Sequence, residues 1–354
     1  GASSSGATVF LEPLAVVGLN NDLSLLLEQE AIETRRVLAD LTRHPEANFD
    51  ATTYPLAIVV RSHLPPGNHR PMLGLDAATR TPLEPPSRPG APWVLLSGNL
   101  HRALTHLKQH RSLADALRIQ LGVKTGANHL FLAPSPEIEP ELVRPALHGR
   151  DIRAFRATPS GQIVWTHDSR GVVLPSLPAG AARHFARHIE ALRGRSDDVG
   201  GRPWSLFRAS AGGATPRVVW SDLAPRLEAA CLVGSATSHF VPLNTCYVVR
   251  CATPELALAL CAWLNSTYIR AVARATADPA NGGFARFNAR AVGAVPLPPG
   301  ALDTPRLVVL ARRGLAGEAV QDELDDYVGD SLDLGPEERR IFAEVVGVGA
   351  PRRR

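Results

Sequence analysis

Apolar residues recur at helical intervals in several long stretches of the chain. A helix is predicted over residues 28–43, 99–117, 178–195 and 253–275. Asn99 is the predicted N-cap of the second helix, while Thr253 and Pro254 form the N-cap and first position of the last. Near the end, the pattern predicts two helices that break at Gly335-Pro336, because glycine and proline commonly separate helices.

Short runs rich in β-branched and aromatic residues predict strands. They are LAIVV within residues 49–62, IVWTHDS (163–169), RVVWSDL (217–223) and TCYVVRC (245–251). The stretch LGVKTGANHLFL, residues 121–132, predicts two strand-like apolar runs separated by a turn at 124–128. Residues 63–92 are so dense in proline and glycine that we expect a linker without regular structure. Helices interspersed with scattered strands, without an internal repeat, indicate an α+β fold.

The composition is typical of a globular protein, with 45% hydrophobic and 20% charged residues. The longest apolar run, residues 256–264, is too short to span a bilayer, and we find no secretory signal. We therefore predict a cytoplasmic protein with no membrane partner. The four cysteines show neither CxxC pairs nor a neighbouring histidine ladder, so we expect buried thiols rather than a zinc site or disulfides.

Charge is unevenly distributed along the chain, whose net charge is +4. Residues 141–226 contain 13 arginines and 7 acidic residues, whereas residues 318–344 contain 10 acidic residues and 2 arginines. A basic middle is suited to a polyanion such as double-stranded DNA. A coding bias towards arginine is the alternative, since the only lysines are Lys108 and Lys124.

Six segments in order resemble one known domain. LGVKTGANHLFL resembles the GI-x-TG-x-N-x-x-F signature of the TaqI-like C-terminal specificity domain of adenine-specific DNA methyltransferases. VRPALHGRDIRAF (143–155) resembles that family's RP-x-x-x-G-x-D-I segment. PLNTCYVV (242–249), WLNS (263–266) and VPLP (295–298) follow in the family's order and at similar spacing, and LDDYVGDSLDLGPEERR resembles its closing helix pair. The resemblance covers about residues 93–345.

The resemblance implies a target-recognition domain preceded by the last helix and strands of a Rossmann-like methyltransferase domain. The implied divisions are 1–62, the methyltransferase remnant; 63–92, the linker; 93–300, the target-recognition domain; 301–346, a C-terminal helix pair; and 347–354, a basic tail. The family's (Asn/Asp)-Pro-Pro-(Tyr/Phe) catalytic motif and a glycine-rich turn for S-adenosylmethionine are both absent. We therefore expect a fragment whose parent enzyme uses S-adenosylmethionine, while the chain alone binds no cofactor, holds no metal and is inactive.

The turn at 124–128 contains the first candidate DNA contacts. Lys124 is predicted to contact phosphate and Asn128 to read a base edge, while the hydroxyl of Thr125 adds a further donor. Gly126 allows a positive φ and thus a close approach of the backbone to DNA. The alternative is an ordinary hairpin turn in which Asn128 bonds its own backbone.

Two further segments contain basic candidates. Arg150 and Arg153 lie in HGRDIRAF, where Arg150 could contact phosphate or guanine with Asp151 as a brace; the alternative is a surface Arg–Asp pair. Arg274, Asn281 and Arg286 surround a Gly-Gly loop that could become ordered on DNA or be a simple turn.

His184 and His188 have the i, i+4 spacing that can hold a metal. Because no third ligand is evident, we instead predict a solvated helix face.

Three functions remain open at the level of sequence. The first is the DNA-recognition part of a site-specific adenine methyltransferase of a restriction–modification or phage-defence system, which requires the upstream methyltransferase domain as its partner. The second is a stand-alone DNA-binding specificity module that works with a separate catalytic or nuclease chain. The third is an interaction protein without a nucleic-acid role.

Overall fold

The computed structural model describes residues 29, 72–73, 81–82, 96, 98–132, 134–197 and 200–347. The chain divides into two compact units, of which the second comprises residues 70–74 and 79–354. In the first unit only Gln29 is described, and it is helical. The remainder of the predicted helix 28–43, the strand within 49–62 and the methyltransferase remnant therefore lie outside the described residues.

The second unit alternates short strands with helices. Its strands are β1 (Met72–Leu73), β2 (Thr81–Pro82), β3 (Ile119–Leu121), β4 (Val143–Leu147), β5 (Gly161–Val164), β6 (Arg217–Ser221), β7 (Leu223–Ala224), β8 (Ala229–Leu232), β9 (Val241–Pro242), β10 (Cys246–Arg250), β11 (Asp278–Pro279) and β12 (Ala285–Arg286). Its α-helices are α1 (Gly98–Leu107), α2 (Leu113–Ala116), α3 (Asn128–Phe131), α4 (Ala179–Ala186), α5 (Ile189–Arg193), α6 (Ser235–Ser238), α7 (Pro254–Asn265), α8 (Thr267–Thr276), α9 (Ala289–Gly293), α10 (Pro305–Ala316), α11 (Gln321–Ser331) and α12 (Pro336–Val345). The predicted α+β class is confirmed for this unit.

A four-stranded antiparallel sheet, which we call the central sheet, has the order β3-β10-β6-β8. Successive side chains of a strand point to opposite faces. Trp220 and Val249 therefore enter one hydrophobic core, whereas Val219 and Val248 enter a second core on the opposite face. Burial on both faces explains why these strands read as continuous apolar runs in the sequence.

The first core also takes in the C-terminal helices. Helix α7 is buried around its circumference and packs against β6, β8 and α10. Leu310, Leu324 and Phe342, one from each of the last three helices, join the same core. The predicted break at Gly335-Pro336 is confirmed, with Pro336 at the first position of α12.

Three predicted helices are each divided in two. Residues 99–117 form α1 and α2, and Asn99 lies inside α1 rather than at its N-cap. Residues 178–195 form α4 and α5, with a break at Arg187-His188. Helices α7 and α8 meet at 70° because Ser266 ends the first and accepts a hydrogen bond from the Ile269 N–H as N-cap of the second. The predicted start of α7 is confirmed, since the Thr253 side chain accepts from the Leu256 N–H.

The described residues also form two smaller three-stranded sheets, with the orders β5-β4-β9 and β11-β12-β7. The predicted strand over 163–169 overlaps β5 only as far as Val164. Residues 63–92 are not entirely without regular structure, because β1 and β2 pair within them. A ladder of two residues per strand tolerates Pro82, which a long central strand would exclude.

Within the described residues, no single helix is long and apolar enough to cross a membrane. The bent pair α7–α8 reaches that length and apolar composition only when its two helices are taken together. The four cysteines are free and buried, as the sequence predicts.

Candidate nucleic-acid interface

The segments that carry the family resemblance hydrogen-bond to one another. The Gly122 N–H donates to the Cys246 carbonyl at 2.8 Å, and the Val123 N–H donates to the Pro242 carbonyl at 2.8 Å. These bonds join the LGVKTG and PLNTCYVV segments. The indole N–H of Trp263 in WLNS donates at 3.1 Å to the carbonyl of Pro296 in VPLP. The segments thus form one framework.

The framework brings several strand ends to one end of the central sheet. The side chain of Asn265, in WLNS, bonds both the N–H and the carbonyl of Ala229, where β8 begins. Strands β3 and β6 finish at this end, and β10 starts there, because their pairing is antiparallel. Loops that follow these strands are therefore held close together on a rigid base.

The turn at 124–128 leads into a helix, not a second strand. Asn128 begins the four-residue helix α3, so the prediction of strand-like structure for 129–132 is wrong. The Thr125 hydroxyl donates to Asn128 Oδ1 at 2.5 Å and accepts from the Ala127 N–H at 3.2 Å. These local bonds satisfy groups that a hairpin would have paired across strands, which favours the helical turn.

The structure gives each residue of this turn a distinct environment. Thr125 is only 2% exposed, so its hydroxyl serves the turn itself. Gly126 is exposed with φ of 68°, a left-handed conformation that favours glycine, as predicted. Asn128 is exposed, and its Oδ1 retains a second lone pair beside the bond from Thr125.

Lys124 is half-buried and pairs with Asp197 at 2.6 Å. The hydrogen bond from Lys124 lowers the pKa of Asp197, and Arg208 acts in the same direction. Behind the turn, the buried Arg195 donates to the carbonyl of Thr125 at 2.7 Å and to that of Ser205 at 2.9 Å. The turn therefore has a fixed backbone beneath its exposed side chains.

A second turn, Gly149–Asp151, is joined to the framework through Thr245. The Gly149 N–H donates to Thr245 Oγ1 at 3.0 Å, and the Asp222 N–H donates to the Thr245 carbonyl at 2.9 Å. Burial by itself would raise the pKa of Asp151. The hydrogen bonds that its carboxylate accepts from the N–H groups of His148 and Ser160 outweigh this effect, so the pKa is lowered. Asp151 thus stabilises its own turn and lies 3.9 Å from the exposed Arg150.

Arg153 folds back onto the same turn. Its guanidinium donates to the carbonyl of Arg150 at 2.9 Å and to that of Ile152 at 2.7 Å. The Arg150 side chain is 74% exposed, and Arg153 is exposed as well. Arg153 therefore stabilises the backbone of the turn while both side chains remain accessible to solvent.

Arg286 lies beside the end of β6. Its guanidinium donates to Asp222 Oδ2 at 3.0 Å, and the Phe287 N–H donates to the Asp222 carbonyl at 2.7 Å. Burial raises the pKa of Tyr247, and the charge of Asp222 adds to this effect, whereas Arg286 and Arg208 oppose it. Arg208 and Arg286 are therefore near the same tyrosine at the start of β10.

We call the five cations at this end of the central sheet the sheet-end surface. They are Lys124, Arg150, Arg208, Arg226 and Arg286. Sequence analysis did not single out Arg208 or Arg226. Arg208 has no sequence signal beyond its basic character, yet its Nε donates to the Gly122 carbonyl at 3.0 Å and its φ is 55°.

The sheet-end surface consists largely of paired charges. Lys124, Arg150, Arg226 and Arg286 each have a carboxylate within 4 Å, from Asp197, Asp151, Glu228 and Asp222 respectively. In the three arginine pairs the guanidinium side chain is 55–74% exposed and the carboxylate only 5–21% exposed, so the arginines face solvent while their acidic partners lie beneath them. The acidic partners hold the cations in position.

The other two predicted contacts lie on the chain between α8 and β12. Arg274 is in the last turn of α8, and its side chain is half-buried. Asn281 begins the turn that connects β11 to β12, the strand that contains Arg286. Neither residue is one of the five cations of the sheet-end surface.

Part of the basic character counted in the sequence is hidden inside the fold. Arg217 is fully buried, and its guanidinium donates to the carbonyls of Ala211 at 3.0 Å and Ser238 at 2.9 Å. Burial lowers the pKa of Arg217 to about 9, and the charges of Arg144 and Arg250 act in the same direction. Arg144 in turn lies over the ring of Trp165 at 4.8 Å.

His167 belongs to the same interior region. Burial lowers its pKa to about 4; the charge of Asp168 opposes this shift, and that of Arg144 strengthens it. We call the buried His167 and Arg217, together with the half-buried Arg144, the buried basic group. Sequence analysis missed their burial, because a periodic pattern reports where apolar residues lie and not where a cation is enclosed.

The predicted solvated face at His184 and His188 is wrong for His184. This ring is buried, contacts the ring of Phe185 and lies 3.1 Å from the Leu130 carbonyl. Within the described parts of the chain, no cluster of three or more His, Cys, Asp or Glu residues could hold a metal.

No family model matches the sequence. A stretch of 49 residues is 49% identical to endonuclease MutS2 of Staphylococcus aureus strain Mu3, and a stretch of 58 residues is 41% identical to endonuclease MutS2 of Clostridium perfringens strain SM101. These stretches cover 14% and 16% of this chain and only 6% and 7% of the relatives.

Two solved structures are partly similar to this fold. The type IIL restriction–modification enzyme MmeI, in complex with DNA, has a TM-score of 0.42 and 13% identity, over 69% of this chain and 34% of that enzyme. The type IIG restriction endonuclease BpuSI has a TM-score of 0.45 and 12% identity, over 71% of this chain and 32% of that enzyme. The chain thus spans about a third of each enzyme, and TM-scores below 0.5 describe a partial overlap of folds.

Proposed function

We propose that this chain is the DNA-recognition part of a site-specific adenine DNA methyltransferase of a restriction–modification or phage-defence system. The parent enzyme would transfer a methyl group from S-adenosylmethionine to the exocyclic amine of adenine. That amine is engaged in base pairing in a duplex, so the reaction requires the adenine to leave the stack. In this proposal the chain grips the duplex and selects the sequence, while an upstream methyltransferase domain binds the cofactor.

The observation that carries the proposal is the hydrogen-bonded framework. Segments that resemble a DNA-specificity domain bond one another across large sequence separations, as between Trp263 and Pro296 or Gly149 and Thr245. The framework supports three cations at one end of the central sheet, Lys124 and Arg150 on short turns and Arg286 in β12, and each is paired with a carboxylate. A rigid base with exposed cationic side chains is suited to binding DNA phosphates in a fixed register.

The proposed contacts differ in their roles. Lys124, Arg150 and Arg286 would contact phosphates, and these contacts position the duplex without reading sequence. Asn128 would read a base edge from the exposed start of α3. Thr125, Gly126 and Arg153 would shape the two turns, whereas Arg274 and Asn281 would contribute from the chain that leads to β12.

The proposal separates binding from chemistry. The (Asn/Asp)-Pro-Pro-(Tyr/Phe) motif is absent from the 354 residues, and so is a glycine-rich turn for S-adenosylmethionine. We therefore expect the chain to bind DNA while neither binding the cofactor nor methylating alone. A stand-alone specificity module would behave in the same way, and it differs only in working with a separate catalytic chain.

Salt-dependent binding tests the proposal. The full chain should bind a labelled random-sequence duplex in fluorescence anisotropy, with an affinity that falls steeply between about 50 and 200 mM salt. Lys124→Ala should weaken binding to all sequences, because a phosphate contact is lost. Lys108→Ala is the matched control, since Lys108 is the other lysine of the chain and lies just after α1.

Two results would overturn the proposal in different ways. A wild-type chain that shows no salt-dependent binding would exclude DNA recognition as such. Equal losses in Lys124→Ala and Lys108→Ala would show that binding is unrelated to the sheet-end surface. Addition of S-adenosylmethionine should change neither the DNA-binding curve nor the midpoint of thermal unfolding. A rise in that midpoint would show that the chain binds the cofactor itself, which contradicts the proposal that only the upstream domain does so.

A further inference from the structure

A hairpin that adjoins the sheet-end surface has an open, apolar tip. Strands β11 and β12 pair antiparallel, with Asp278 opposite Arg286 and Pro279 opposite Ala285. The Ala280 N–H donates to the Phe284 carbonyl at 2.9 Å and closes the loop between them. The hairpin therefore presents a short, hydrogen-bonded loop with Phe284 at its return.

Consecutive glycines shape the tip of this hairpin. Gly282 has φ of 68° and Gly283 has φ of 79°, a conformation that L side chains rarely adopt. A Cβ at Gly283 would meet no atom within 4 Å, and one at Gly282 would meet only the Phe284 ring edge at 3.8 Å. Side chains at these two positions would therefore have room, and at Gly282 the nearest atom belongs to the Phe284 ring.

Phe284 shares the outer face of the small sheet with Arg286 and Leu223. Leu223 is the cross-strand partner of Arg286, so their side chains lie on one face. Ala285, which is fully buried, points to the core. Because side chains alternate along a strand, Phe284 lies on the same side as Arg286.

This face concentrates exposed apolar surface. Phe284 is 38% exposed and Leu223 is 43% exposed, and the described residues include only two other large exposed hydrophobics, Val172 and Val309. One exposed apolar side chain needs no explanation, but two on the face of a small sheet that also carries Arg286 suggest a contact. The guanidiniums of Arg286 and Arg290 flank them and are themselves held by Asp222 and Asp278.

We propose that Phe284 is an apolar wedge that contacts the base stack of duplex DNA, with Leu223 packed behind it. The inference rests on the proposed DNA-recognition function and adds to it a residue that reaches beyond the phosphates. Apolar side chains inserted at a base step unstack it, while neighbouring cations hold the two flanking phosphate strands. Phe284, on a hairpin that also carries Arg286, combines an exposed apolar side chain with a neighbouring cation.

The wedge has a consequence for the proposed reaction. Unstacking one base step lowers the cost of moving the neighbouring adenine out of the helix. Arg286 would anchor the phosphate next to the opened step, because it lies two residues from Phe284 on the same face. Phe284 would then act on the shape of the DNA and not on the identity of a base.

Fluorescence of 2-aminopurine measures this unstacking directly. The full chain is first used to select a duplex from a random pool, and 2-aminopurine is then placed at each adenine of that duplex in turn. Wild-type protein should raise the fluorescence several-fold at one position or at two adjacent ones. Phe284→Ala should abolish most of this rise and weaken binding by about tenfold, the scale expected for loss of one stacking side chain.

Two variants control for general damage. Phe284→Trp keeps an aromatic ring and should retain the rise in fluorescence. Val309→Ala removes an apolar side chain that is 52% exposed on α10, and it should behave like wild type. Thermal melts of all three variants should match the wild type, since neither position is buried.

The outcomes separate the wedge from the proposed function. Intact salt-dependent binding with an unchanged rise in Phe284→Ala, or with no rise in the wild type, overturns the wedge and leaves DNA recognition standing. Absence of any DNA binding by the wild type overturns both. A concentration-dependent dimer that Phe284→Ala dissociates would assign the patch to self-association, which also overturns the wedge.

Discussion

Arginines serve opposite purposes in two regions of this molecule. At the sheet-end surface, Arg286 has a side chain that is 55% exposed and bonds the carboxylate of Asp222. In the buried basic group, Arg217 is fully enclosed and bonds two backbone carbonyls, with no carboxylate within 4 Å among the described residues. The exposed arginine keeps a side chain that solvent reaches, whereas the enclosed one bonds only to the interior of the fold.

The contrast is sharpest between two residues that face each other. Arg217 and Arg250 are cross-strand partners in β6 and β10, yet Arg217 is buried and Arg250 is exposed. A count of arginines treats them as equal contributions to a basic surface. The surface field that DNA would meet is therefore weaker than the count over residues 141–226 implies, and it depends on the few arginines that remain outside.

Replacement of Arg217 should have the largest effect. Arg217→Ala leaves the Ala211 and Ser238 carbonyls without their donor and opens a cavity, which should lower the free energy of unfolding by about 3 kcal/mol. Arg250→Ala is the matched control and should change it by less than about 0.5 kcal/mol. Urea denaturation measures both, and similar values for the two variants would remove the distinction between the regions.

The pH dependence of stability is a second probe of the interior. The pKa of His167 is about 4 in the folded protein, below the value of about 6.5 expected in the unfolded chain. The folded state therefore disfavours protonation, so stability is complete above pH 6.5 and is lost as the pH falls towards 4. Between pH 7 and pH 5 this loss should be about 2 kcal/mol.

The control for this prediction is His167→Gln, which cannot titrate in that range. In this variant the free energy of unfolding measured in urea should fall by about 2 kcal/mol less between pH 7 and pH 5 than in the wild type. The exposed His129, replaced in the same way, should leave the pH dependence unaltered. If His167→Gln retains the wild-type dependence, other groups cause the acid sensitivity.

Replacement of Arg286 tests the exposed region. Arg286→Ala should leave stability unchanged and reduce the slope of log affinity for DNA against log salt by about one, because one phosphate contact is lost. Arg340→Ala removes another exposed arginine, which is paired with Glu344 on α12, and should leave the slope unaltered. A salt titration by fluorescence anisotropy measures the slopes, and equal slopes for the two variants would contradict a specific role of Arg286.

The smallest expected effect is confined to one base pair. Asn128→Asp keeps the oxygen that accepts from Thr125 but loses the amide donor, so the turn should persist while preference at one base pair falls by about tenfold. Asn128→Ala should lose both the preference and part of the stability of the turn. Selection from a random duplex pool compares the two, and an unchanged preference in both variants would exclude Asn128 as a base-reading residue.

Local signals in the sequence identified some helix starts and strands correctly. Thr253-Pro254 and Gly335-Pro336 carry their own capping chemistry, so their positions followed from a few neighbouring residues. The breaks at Ser112 and Ser266 have a local signal too, because serine is a favoured N-cap, but an uninterrupted apolar pattern concealed it. The start of a helix at Asn128 escaped prediction because apolar runs as short as HLFL are compatible with either structure.

The candidate site was predictable only in part. Lys124 and Arg150 lie in segments that carry the family resemblance, and Arg286 follows a Gly-Gly loop; the structure brings all three to one end of the central sheet. Arg208 and Arg226 join them through pairing between distant strands and loops. Phe284 has no distinguishing pattern of its own, since its exposure depends on the glycine turn and on the alternation set by β12.

The sequence by itself determined the α+β class, strands β6 and β10 of the central sheet and the order of the motif segments. These features depend on the conformational propensities of neighbouring residues and on the spacing of apolar residues, and both can be read directly from the sequence. Only the tertiary structure decided which arginines face solvent and which are enclosed. That distinction depends on whether backbone carbonyls from distant segments surround a guanidinium or leave it beside a carboxylate in water, and such an environment exists only after the chain has folded.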